Sequence, residues 1–356
     1  MIKLISPADG ITVPVLTDAH RDFIAKNDDG TVDREALGED WEKRYPWLQE
    51  KKDPSRDLTG PAHLLFSWSC GDPYGTMKLE ISEAPDFSAP ADVTKGRIFQ
   101  SAESGAYYAD VANFRSGTRY YWRVVRGEGN SGVRSFVTEE GPRPIMIPGC
   151  ANVRDIGGVR SGGGKKIKQG LVYRGSACDA NDQEQYKITD DGMRVFAEDL
   201  GIKTEVDLRG DVGPSPFEDV DKVSAIKIFF HSYDWAHCDE EGRAGLRSLF
   251  EVLSDPGNYP LYIHCQAGAD RAGTAIMYLE AVLGMGRDYI VRDYNISSLS
   301  VDDQRNFSKN EAVKDLLELF ERDYPGLTFP DALVRSLLDA GVTEEQISAV
   351  RSFLLE

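Results

Sequence analysis

The chain has 356 residues, of which 41% are hydrophobic and 10% aromatic, and its formal net charge is −18. This length exceeds that of an ordinary single domain, and the composition is that of packed interiors rather than of a disordered chain. The acidic charge argues against nucleic acid or an anionic membrane as a main partner, because both bind positively charged surfaces.

The sequence predicts no membrane-spanning segment. The start, Met1-Ile2-Lys3-Leu4, opens no long apolar stretch, and no later segment has the roughly 20 apolar residues of a membrane span. We therefore expect a soluble protein without an integral membrane segment. Cytoplasm, periplasm and exterior all stay open, because a removed signal peptide leaves no trace. The five cysteines include no Cys-x-x-Cys pair, so at least one thiol is expected to be free and no zinc site is predicted.

Short runs of alternating apolar and polar residues, separated by turn residues, fill the first 140 positions. They predict an all-β sandwich of antiparallel strands, since a parallel sheet would need crossover helices. The predicted strands are Ile2 to Leu4, Leu64 to Trp68, Met77 to Ser82, Gly105 to Val111, Tyr120 to Val125 and Ser135 to Thr138. Between the first two, the charged stretch 18–52 favours helix and is predicted to be an insertion in this domain.

The end of this region has a family likeness. The run Gly117-Thr118-Arg119-Tyr120-Tyr121-Trp122-Arg123-Val124, followed by Ser135-Phe136-Val137-Thr138, resembles the last strands of a fibronectin type III domain. The resemblance covers residues 1–140. It implies a spacer or a module for docking a protein partner, although a ligand-binding role stays open because a fold does not supply a function.

A second domain is predicted after the linker 141–144, because Gly141-Pro142-Arg143-Pro144 continues neither a central strand nor a helix. From 145 to 356 strands alternate with helices, which predicts an α/β domain with a central, mainly parallel sheet flanked by helices and a helical C-terminal tail. The predicted strands are Gly170 to Arg174, Lys203 to Leu208, Ala225 to Phe230 and Leu261 to His264. The predicted helices are Thr189 to Leu200, Gly242 to Leu253, Gly273 to Leu283, Ala312 to Asp323, Pro330 to Asp339 and Glu344 to Leu355.

The candidate chemistry lies between the last of these strands and the helix that follows it. A strand, a tight loop and a helix N-terminus gather backbone N–H groups and the positive end of a helix dipole around one point, which makes an anion site. Cys265 opens this loop, and the same field favours the thiolate that attacks phosphorus. Arg271 closes it and is placed to hold two phosphate oxygens with its planar guanidinium. The predicted phosphate-binding residues are Gln266, Ala267, Gly268, Ala269, Asp270 and Arg271.

The segment His264-Cys265-x-x-Gly268-x-x-Arg271, a Cys-x5-Arg motif, resembles the signature of the protein tyrosine phosphatase superfamily. Segments 152–158, 170–176 and 206–209 resemble, in the same order, the motifs of a bacterial tyrosine/serine phosphatase family. The resemblance implies phosphomonoester hydrolysis through a phosphocysteine, without metal or cofactor, on phosphotyrosine or with dual specificity. It also implies that supporting residues orient the nucleophile loop or tie it to neighbouring strands: His264, Arg154, Asp155, Arg174, Asp207 and Arg209. For each of these residues except His264, an ordinary role in a turn or a salt bridge outside the site is equally expected.

The loop departs from the family pattern at two positions. Ala269 stands where a lysine is common, and Ala272 stands where most members carry Ser or Thr. The missing hydroxyl usually eases departure of the cysteine sulfur from the phosphoenzyme. Thr274 lies two residues on, about 200° around a helix, and is a poor substitute. We therefore predict slow hydrolysis of the phosphocysteine.

Cleavage of a phosphate ester also needs a proton for the leaving oxygen, usually from an aspartic acid on a separate loop. Superfamily members place this acid upstream of the cysteine, where Asp234 follows a predicted strand, so Asp234 is the first candidate. Asp270, inside the loop, is the second. Asp239, His231 and His237 are weaker candidates, because such residues in a polar loop are usually just solvated.

Other functions stay open at this level. One is a phytase-like phosphatase that acts on inositol polyphosphates or phosphoinositides. In that case Lys165, Lys166 and Lys168 would line its pocket; otherwise they lie on a solvated hairpin whose tip is Ser161 to Gly164. A phosphate-binding scaffold in which Ala272 marks lost catalysis is another. Sulfur transfer by a rhodanese-like loop is the weakest, because Arg271 suits a tetrahedral oxyanion. The helices after Arg287 are placed to cover the mouth of a pocket, and Asp293-Tyr294 resembles the family's helical tail.

Overall fold

A computed structural model describes residues 1–26, 57–71, 76–88, 91–92, 98–179, 186–218, 220–221, 223–300, 305–308 and 310–356. The chain divides into two compact units. The first contains Met1–Leu16 and Pro61–Arg143, and the second contains Thr17–Gly60 and Pro144–Glu356. Among the described residues, no helix is both long and apolar enough to cross a membrane.

The first unit contains two β-sheets. One has the order β1 (Ile2–Ser6), β3 (Leu64–Cys70), β7 (Tyr107–Val111), β6 (Phe99–Gln100), and all its neighbours are antiparallel. The other has the order β2 (Ile11–Val13), β10 (Arg134–Thr138), β8 (Arg119–Arg126), β4 (Met77–Ser82), β5 (Ala91–Asp92), and β9 (Gly129–Asn130) pairs with β8. Among the described strands of this second sheet, the pairing of β2 with β10 is parallel and the others are antiparallel, so the prediction of antiparallel strands is wrong for this one pair.

Both sheets contribute to one buried hydrophobic cluster. Phe66 and Trp68 on β3 are fully buried, whereas Leu65 between them is 52% exposed, as the alternation of side chains along a strand requires. Trp122 of β8 and Phe136 of β10 bury their rings from the other sheet. The six strands predicted for this region are all present, with ends that differ by at most two residues.

The second unit is built on a six-stranded sheet with helices. The strand order is β11 (Arg143–Pro144), β12 (Arg154–Asp155), β13 (Val172–Gly175), β16 (Leu261–His264), β14 (Thr204–Asp207), β15 (Ser224–Lys227). The last four are mutually parallel, and β12 is antiparallel to β13. Because β16 lies between β13 and β14, the segment that follows it emerges in the middle of the carboxyl edge, where α/β proteins place their ligands.

Within the described residues, the helices of the second unit are α1 (Asp18–Lys26), α2 (Asp190–Arg194), α3 (Trp235–Cys238), α4 (Glu240–Ser254), α5 (Asp270–Val282), α6 (Arg287–Ile296), α7 (Glu311–Asp323), α8 (Phe329–Asp339) and α9 (Glu344–Leu354). A π-helical turn, Val195–Asp199, continues α2, so the predicted helix there is interrupted. Helix α5 begins three residues earlier than predicted, which places Asp270 and Arg271 in its first turn.

The segment between the first two predicted strands packs differently from what the sequence suggests. Sequence reasoning counted 18–52 as an insertion in the sandwich domain, but the described part of it belongs to the second unit. Phe23 of α1 shares a buried cluster with Ile296 and Leu299, and the N–H of Leu58 donates to the Leu299 carbonyl at 3.0 Å. The apolar face of α1 is therefore buried against α6 and the turn that follows it. Most of the predicted insertion, residues 27–52, lies outside the described residues.

Candidate active site

The loop from Cys265 to Ala269 leaves the central strand β16 and runs directly into α5. Three successive carbonyl groups of this loop are bound by neighbouring segments. The bonds are Ala177 N to Gln266 O (2.9 Å), Asn152 Nδ2 to Ala267 O (3.2 Å) and Arg174 Nη2 to Gly268 O (2.7 Å). The backbone N–H groups of Ala267, Gly268 and Ala269 have no acceptor among the described residues. The loop thus keeps its donors available and its acceptors occupied, as an anion-binding loop requires.

Gly268 sets how closely the loop approaches β13. Its φ is +70°, and a Cβ at this position would lie 2.3 Å from the backbone carbonyl carbon and oxygen of Gly175. Both the left-handed conformation and the contact with backbone exclude a side chain. Glycine is therefore required here by the fold of the loop itself.

The start of α5 adds the electrostatic part of the site. Its N-cap residue, Ala269, makes no side-chain capping bond, so the N–H groups of the first turn are left for another acceptor. Arg271, in that first turn, is half-buried and forms no side-chain hydrogen bond or ion pair within the described part of the chain. Cys265 is 3% exposed at the other end of the loop. The segment 265–271 thus contains a buried cysteine, a helix start without a side-chain cap and an arginine without a described partner.

Behind the loop lies a buried ionic network that sequence reasoning did not find. The Asp293 carboxylate accepts from Arg154 Nε at 2.6 Å and from Arg174 Nη1 at 2.5 Å, and all three residues are buried. Burial alone would raise the pKa of Asp293, but the two guanidinium groups lower it below its usual value. Asp293 was noted only as part of a helical tail, since nothing in the sequence links it to Arg174, 119 positions away.

Arg209 binds the loop from the other side. Its Nη1 donates to the Gln266 side-chain oxygen at 3.2 Å, while its Nε donates to Asp207 at 2.9 Å and its Nη2 pairs with Asp179 at 2.7 Å. Burial opposes ionisation of Asp207, yet its hydrogen bonds with Arg209 outweigh that effect and lower its pKa. With two carboxylates around it, Arg209 positions the loop rather than supplying an unpaired charge.

His264 is fully buried one residue before Cys265. Its Nε2 lies 2.9 Å from the Glu205 carboxylate, and its Nδ1 lies 3.1 Å from the Cys265 carbonyl oxygen. Burial disfavours the charged ring, but the hydrogen bond and charge of Glu205 outweigh it and raise the pKa of His264 to about 9. The protonated ring donates at both nitrogens and fixes the first peptide of the loop. Glu205 was not singled out from the sequence, because it reaches His264 only through the pairing of β14 with β16.

The remaining predicted supports lie at different distances from the loop. Asp155 accepts from the N–H groups of Gly157 (2.8 Å) and Gly170 (2.6 Å), which places its carboxylate at the turn after β12 instead of on the nucleophile loop. Arg154 acts through Asn152, whose Oδ1 accepts from Arg154 Nη1 at 2.7 Å and whose amide nitrogen reaches the loop.

Of the two acid candidates, Asp270 is held by other side chains. Its two oxygens accept from Arg305 Nε and Nη2, each at 2.9 Å, and Oδ1 also accepts from the Tyr233 hydroxyl at 2.5 Å. Asp234 follows Tyr233, whose N–H donates to Thr274 Oγ1 at 3.0 Å. Residue 234 is thereby positioned beside the first turns of α5. Thr274 Oγ1 also donates to the Asp270 carbonyl at 2.9 Å, so this hydroxyl is committed to structure.

The weaker acid candidates each have a structural partner. Asp239 caps α4 by accepting from the Gly242 N–H at 2.8 Å, and His231 lies 3.4 Å from Glu241. His237 packs against aromatic rings, and burial lowers its pKa to about 4.

The lysine-bearing hairpin lies far from the loop. The N–H of Gly162 donates to the Gly284 carbonyl at 3.0 Å, just after the last residue of α5, and Lys168 Nζ donates to the Phe353 carbonyl at 2.7 Å. The 13 residues of α5 span about 20 Å. The idea that Lys165, Lys166 and Lys168 line the phosphate pocket is therefore wrong, because the hairpin packs at the opposite end of α5.

Comparisons with known proteins agree with this geometry. Residues 145–354 match the model of the "Tyrosine phosphatase family". A Cupriavidus necator protein named provisionally as a tyrosine-protein phosphatase is 27% identical over an aligned length of 210 residues, and the match covers 49% of this chain and 68% of that protein. OCA1 of Meyerozyma guilliermondii, named in the same provisional way, is 26% identical over 132 residues, which are 35% of this chain and 66% of that protein.

Among solved structures, the core catalytic domain of the PP-IP phosphatase SIW14 from S. cerevisiae, in complex with citrate, shows a match that covers 39% of this chain and 78% of the SIW14 chain. The sequence identity is 16% and the TM-score is 0.28, and both values are too low to support an inference about this chain. The family model spans more than half of the chain. The chain therefore belongs to the tyrosine phosphatase family.

Proposed function

We propose that this chain is a cysteine-dependent phosphomonoester hydrolase that acts on protein phosphotyrosine, either exclusively or with dual specificity, and that Cys265 is its nucleophile. The observation that carries the proposal is the loop of 265–271. The carbonyl groups of Gln266, Ala267 and Gly268 accept hydrogen bonds from neighbouring segments, and the N–H groups of 267–269 have no acceptor among the described residues. Arg271 at the end of the loop is unpaired within the described residues. A phosphate dianion supplies the acceptors and the negative charge that such a loop lacks.

In the first step the Cys265 thiolate attacks phosphorus. The S–P bond forms, the P–O bond to the leaving group breaks, and the leaving oxygen takes a proton from a carboxylic acid. The developing charge on the equatorial oxygens is stabilised by the loop N–H groups and by Arg271, which are held in place before the reaction. Arg174, Arg209 and His264 position this loop from behind and to its sides.

We assign the general acid to Asp234. Arg305 donates a hydrogen bond to each carboxylate oxygen of Asp270. Protonation of either oxygen would therefore break one of these two bonds, so Asp270 is a poor proton donor. Asp270 thus braces the first turn of α5 against Arg305 and Tyr233. Asp234 lies on a separate segment and follows Tyr233, whose N–H binds Thr274 in the second turn of α5, and this nearness to the helix start supports its assignment as the donor.

In the second step water attacks the phosphocysteine, and Asp234, now ionised, accepts its proton. The S–P bond breaks and the sulfur leaves as a thiolate. Ala272 is fully buried and has no hydroxyl to stabilise that departing charge, while Thr274 Oγ1 is occupied by Asp270 and Tyr233. We therefore expect the phosphoenzyme to accumulate.

The alternatives differ in what they predict for substrate and turnover. An inositol polyphosphate phosphatase needs several cations around its mouth, and the lysine hairpin at the far end of α5 does not provide them. A phosphate-binding scaffold would bind the same phosphate without releasing it.

The test is phosphate release from phosphotyrosine peptides, phosphoinositides and inositol hexakisphosphate by the full chain and by its Cys265→Ser and Asp234→Asn variants. We expect release from the peptides, loss of release in Cys265→Ser, and a lower rate with a flattened alkaline limb of the kcat/KM pH profile in Asp234→Asn, because a proton donor is active only while it is protonated. A preference for inositol hexakisphosphate would support the phytase-like alternative. No release from any substrate would support the scaffold, and release that survives Cys265→Ser would contradict the mechanism.

For the first unit we propose a fibronectin type III-like module that docks a protein partner. Two sheets with a shared core support it, as does the Tyr120 hydroxyl, which accepts from the Arg115 N–H at 2.9 Å. This bond from the start of a strand to backbone five residues upstream resembles the tyrosine corner of such domains. Tyr120→Phe should destabilise this unit by about 1–3 kcal/mol, because it leaves a backbone donor unpaired. An unchanged unfolding midpoint in chemical denaturation would count against the assignment.

A further inference from the structure

Two cysteines that the proposed mechanism does not use lie in contact with each other. The Sγ atoms of Cys150 and Cys178 are 3.0 Å apart. Cys178 is buried and Cys150 is half-buried, so Cys150 is the more exposed residue of the two. A disulfide has an S–S length of about 2.04 Å, so closing the bond needs a movement of about 1 Å.

The backbone around this pair is already held in place. The segments 150–152 and 176–178 lie side by side, because the Ser176 N–H donates to the Ala151 carbonyl at 2.9 Å and the Ala151 N–H donates to Ser176 Oγ at 2.8 Å. The two cysteines flank these bonds. The bond can therefore close by side-chain rotation, without breaking the hydrogen bonds of the backbone.

We propose that Cys150 and Cys178 are a site of reversible thiol oxidation, in which a peroxide converts the pair to a disulfide beside the phosphate loop. The half-buried Cys150 meets the oxidant: its thiolate attacks a peroxide oxygen, an S–O bond forms, the O–O bond breaks and hydroxide leaves. The Cys178 sulfur then attacks Cys150 Sγ, the S–S bond forms, the S–O bond breaks, and the hydroxyl leaves as water with the Cys178 proton. Two thiols and one hydrogen peroxide yield one disulfide and two waters.

The order of the two steps follows from the surroundings of each sulfur. Burial, followed by the neighbouring Cys150, raises the pKa of the Cys178 thiol well above its usual value. Cys178 is thus the poorer first nucleophile, and its place in direct contact with Cys150 suits it to resolve the sulfenic acid.

The disulfide would act on the framework of the phosphate loop. Ala177, next to Cys178, donates its N–H to the Gln266 carbonyl, and Asn152, two residues after Cys150, donates its side-chain amide to the Ala267 carbonyl. A covalent bond between the two segments would stiffen these supports and leave Cys265 unbonded. The pair is separated by 28 positions, so the cross-link also restricts the unfolded chain. We therefore expect the oxidised protein to unfold at a higher temperature.

The experiment uses the full chain carrying Cys265→Ser, which removes the competing nucleophilic thiol. The protein is treated with hydrogen peroxide, alkylated and digested without reduction, and its peptides are analysed by mass spectrometry. We expect a cross-linked peptide pair containing Cys150 and Cys178, lighter by two hydrogens and separated again by dithiothreitol. The unfolding temperature should rise on oxidation by at least about 5 °C.

Three further variants in this background serve as controls. Cys150→Ser and Cys178→Ser should both abolish the cross-link and the rise in unfolding temperature, whereas the matched change Cys70→Ser, in the first unit, should leave both unchanged. If Cys178→Ser fails to fold, the proposal is tested by Cys150→Ser alone, because Cys150 is half-buried and its substitution disturbs the core less. Recovery of Cys150 and Cys178 as alkylated thiols after oxidation, a cross-link to another cysteine, or a rise that persists in Cys150→Ser would overturn the proposal.

Discussion

The buried carboxylate of Asp293 offers the sharpest test of how the loop from Cys265 to Ala269 is supported. Asp293→Asn keeps the size of the side chain and removes a carboxylate charge that Arg154 and Arg174 share, at bond lengths of 2.6 and 2.5 Å. Arg174 is 0% exposed and Arg154 is 5% exposed, so neither guanidinium gains water in exchange. Breaking a buried ion pair in this way costs about 3–5 kcal/mol. For a unit of this size each kcal/mol lowers the unfolding temperature by about 2–4 °C, so we expect a drop of about 6–20 °C.

The assay is calorimetric unfolding of the full chain, combined with turnover of a phosphotyrosine peptide. Turnover should also fall, because Arg174 holds the Gly268 carbonyl and a displaced loop loses its alignment. The matched control is Glu311→Gln, which breaks a 2.6 Å pair with Lys314 at a site where Glu311 is 81% exposed. It should change stability by less than about 1 kcal/mol. An Asp293→Asn variant that unfolds within about 2 °C of the wild type would refute the reasoning, since the two arginines would then not depend on this carboxylate.

Three further changes probe the loop itself. Gly268→Ala should lower kcat/KM by about 10²-fold or more, because the new Cβ would meet the Gly175 backbone at 2.3 Å; a variant with normal steady-state kinetics would contradict this. The pKa of His264 rises to about 9 against an ordinary 6.5, so about 3 kcal/mol of stability should be present below pH 6.5 and lost as the pH rises through 9. Unfolding midpoints between about pH 6 and 10 measure that loss, and Glu205→Gln should remove it. Ala272→Ser should raise the steady-state rate roughly tenfold and shrink the pre-steady-state burst, whereas a linear wild-type time course would contradict slow phosphocysteine hydrolysis.

Much of the fold and the centre of the candidate site follow from local sequence patterns. Alternation in β3 and the apolar run of β16 specify strands whose side chains are buried on one face or on both. The strand–loop–helix pattern with Cys265, Gly268 and Arg271 likewise specifies an anion-binding loop, because glycine, a helix N-terminus and a guanidinium act over a few residues.

What the sequence does not reveal are the partners that only the folded chain brings together. Asp293 meets Arg174 across 119 positions, and Glu205 meets His264 across 59. The role of Asp270 as a brace depends on Arg305, which follows α6 in the chain. The packing of α1 on the second unit depends on its match to the apolar surface of α6, which no local pattern encodes. In each case the residue types are ordinary, and only tertiary contact makes them part of the site.

The most direct test of the central claim is to trap the phosphoenzyme. The full chain is mixed with a phosphotyrosine peptide, quenched in acid within the burst phase and analysed by mass spectrometry. We predict one phosphoryl group per chain, bound to Cys265 and absent in Cys265→Ser. A phosphoryl group on any other residue, or turnover by the Cys265→Ser variant at the wild-type rate, would contradict the account.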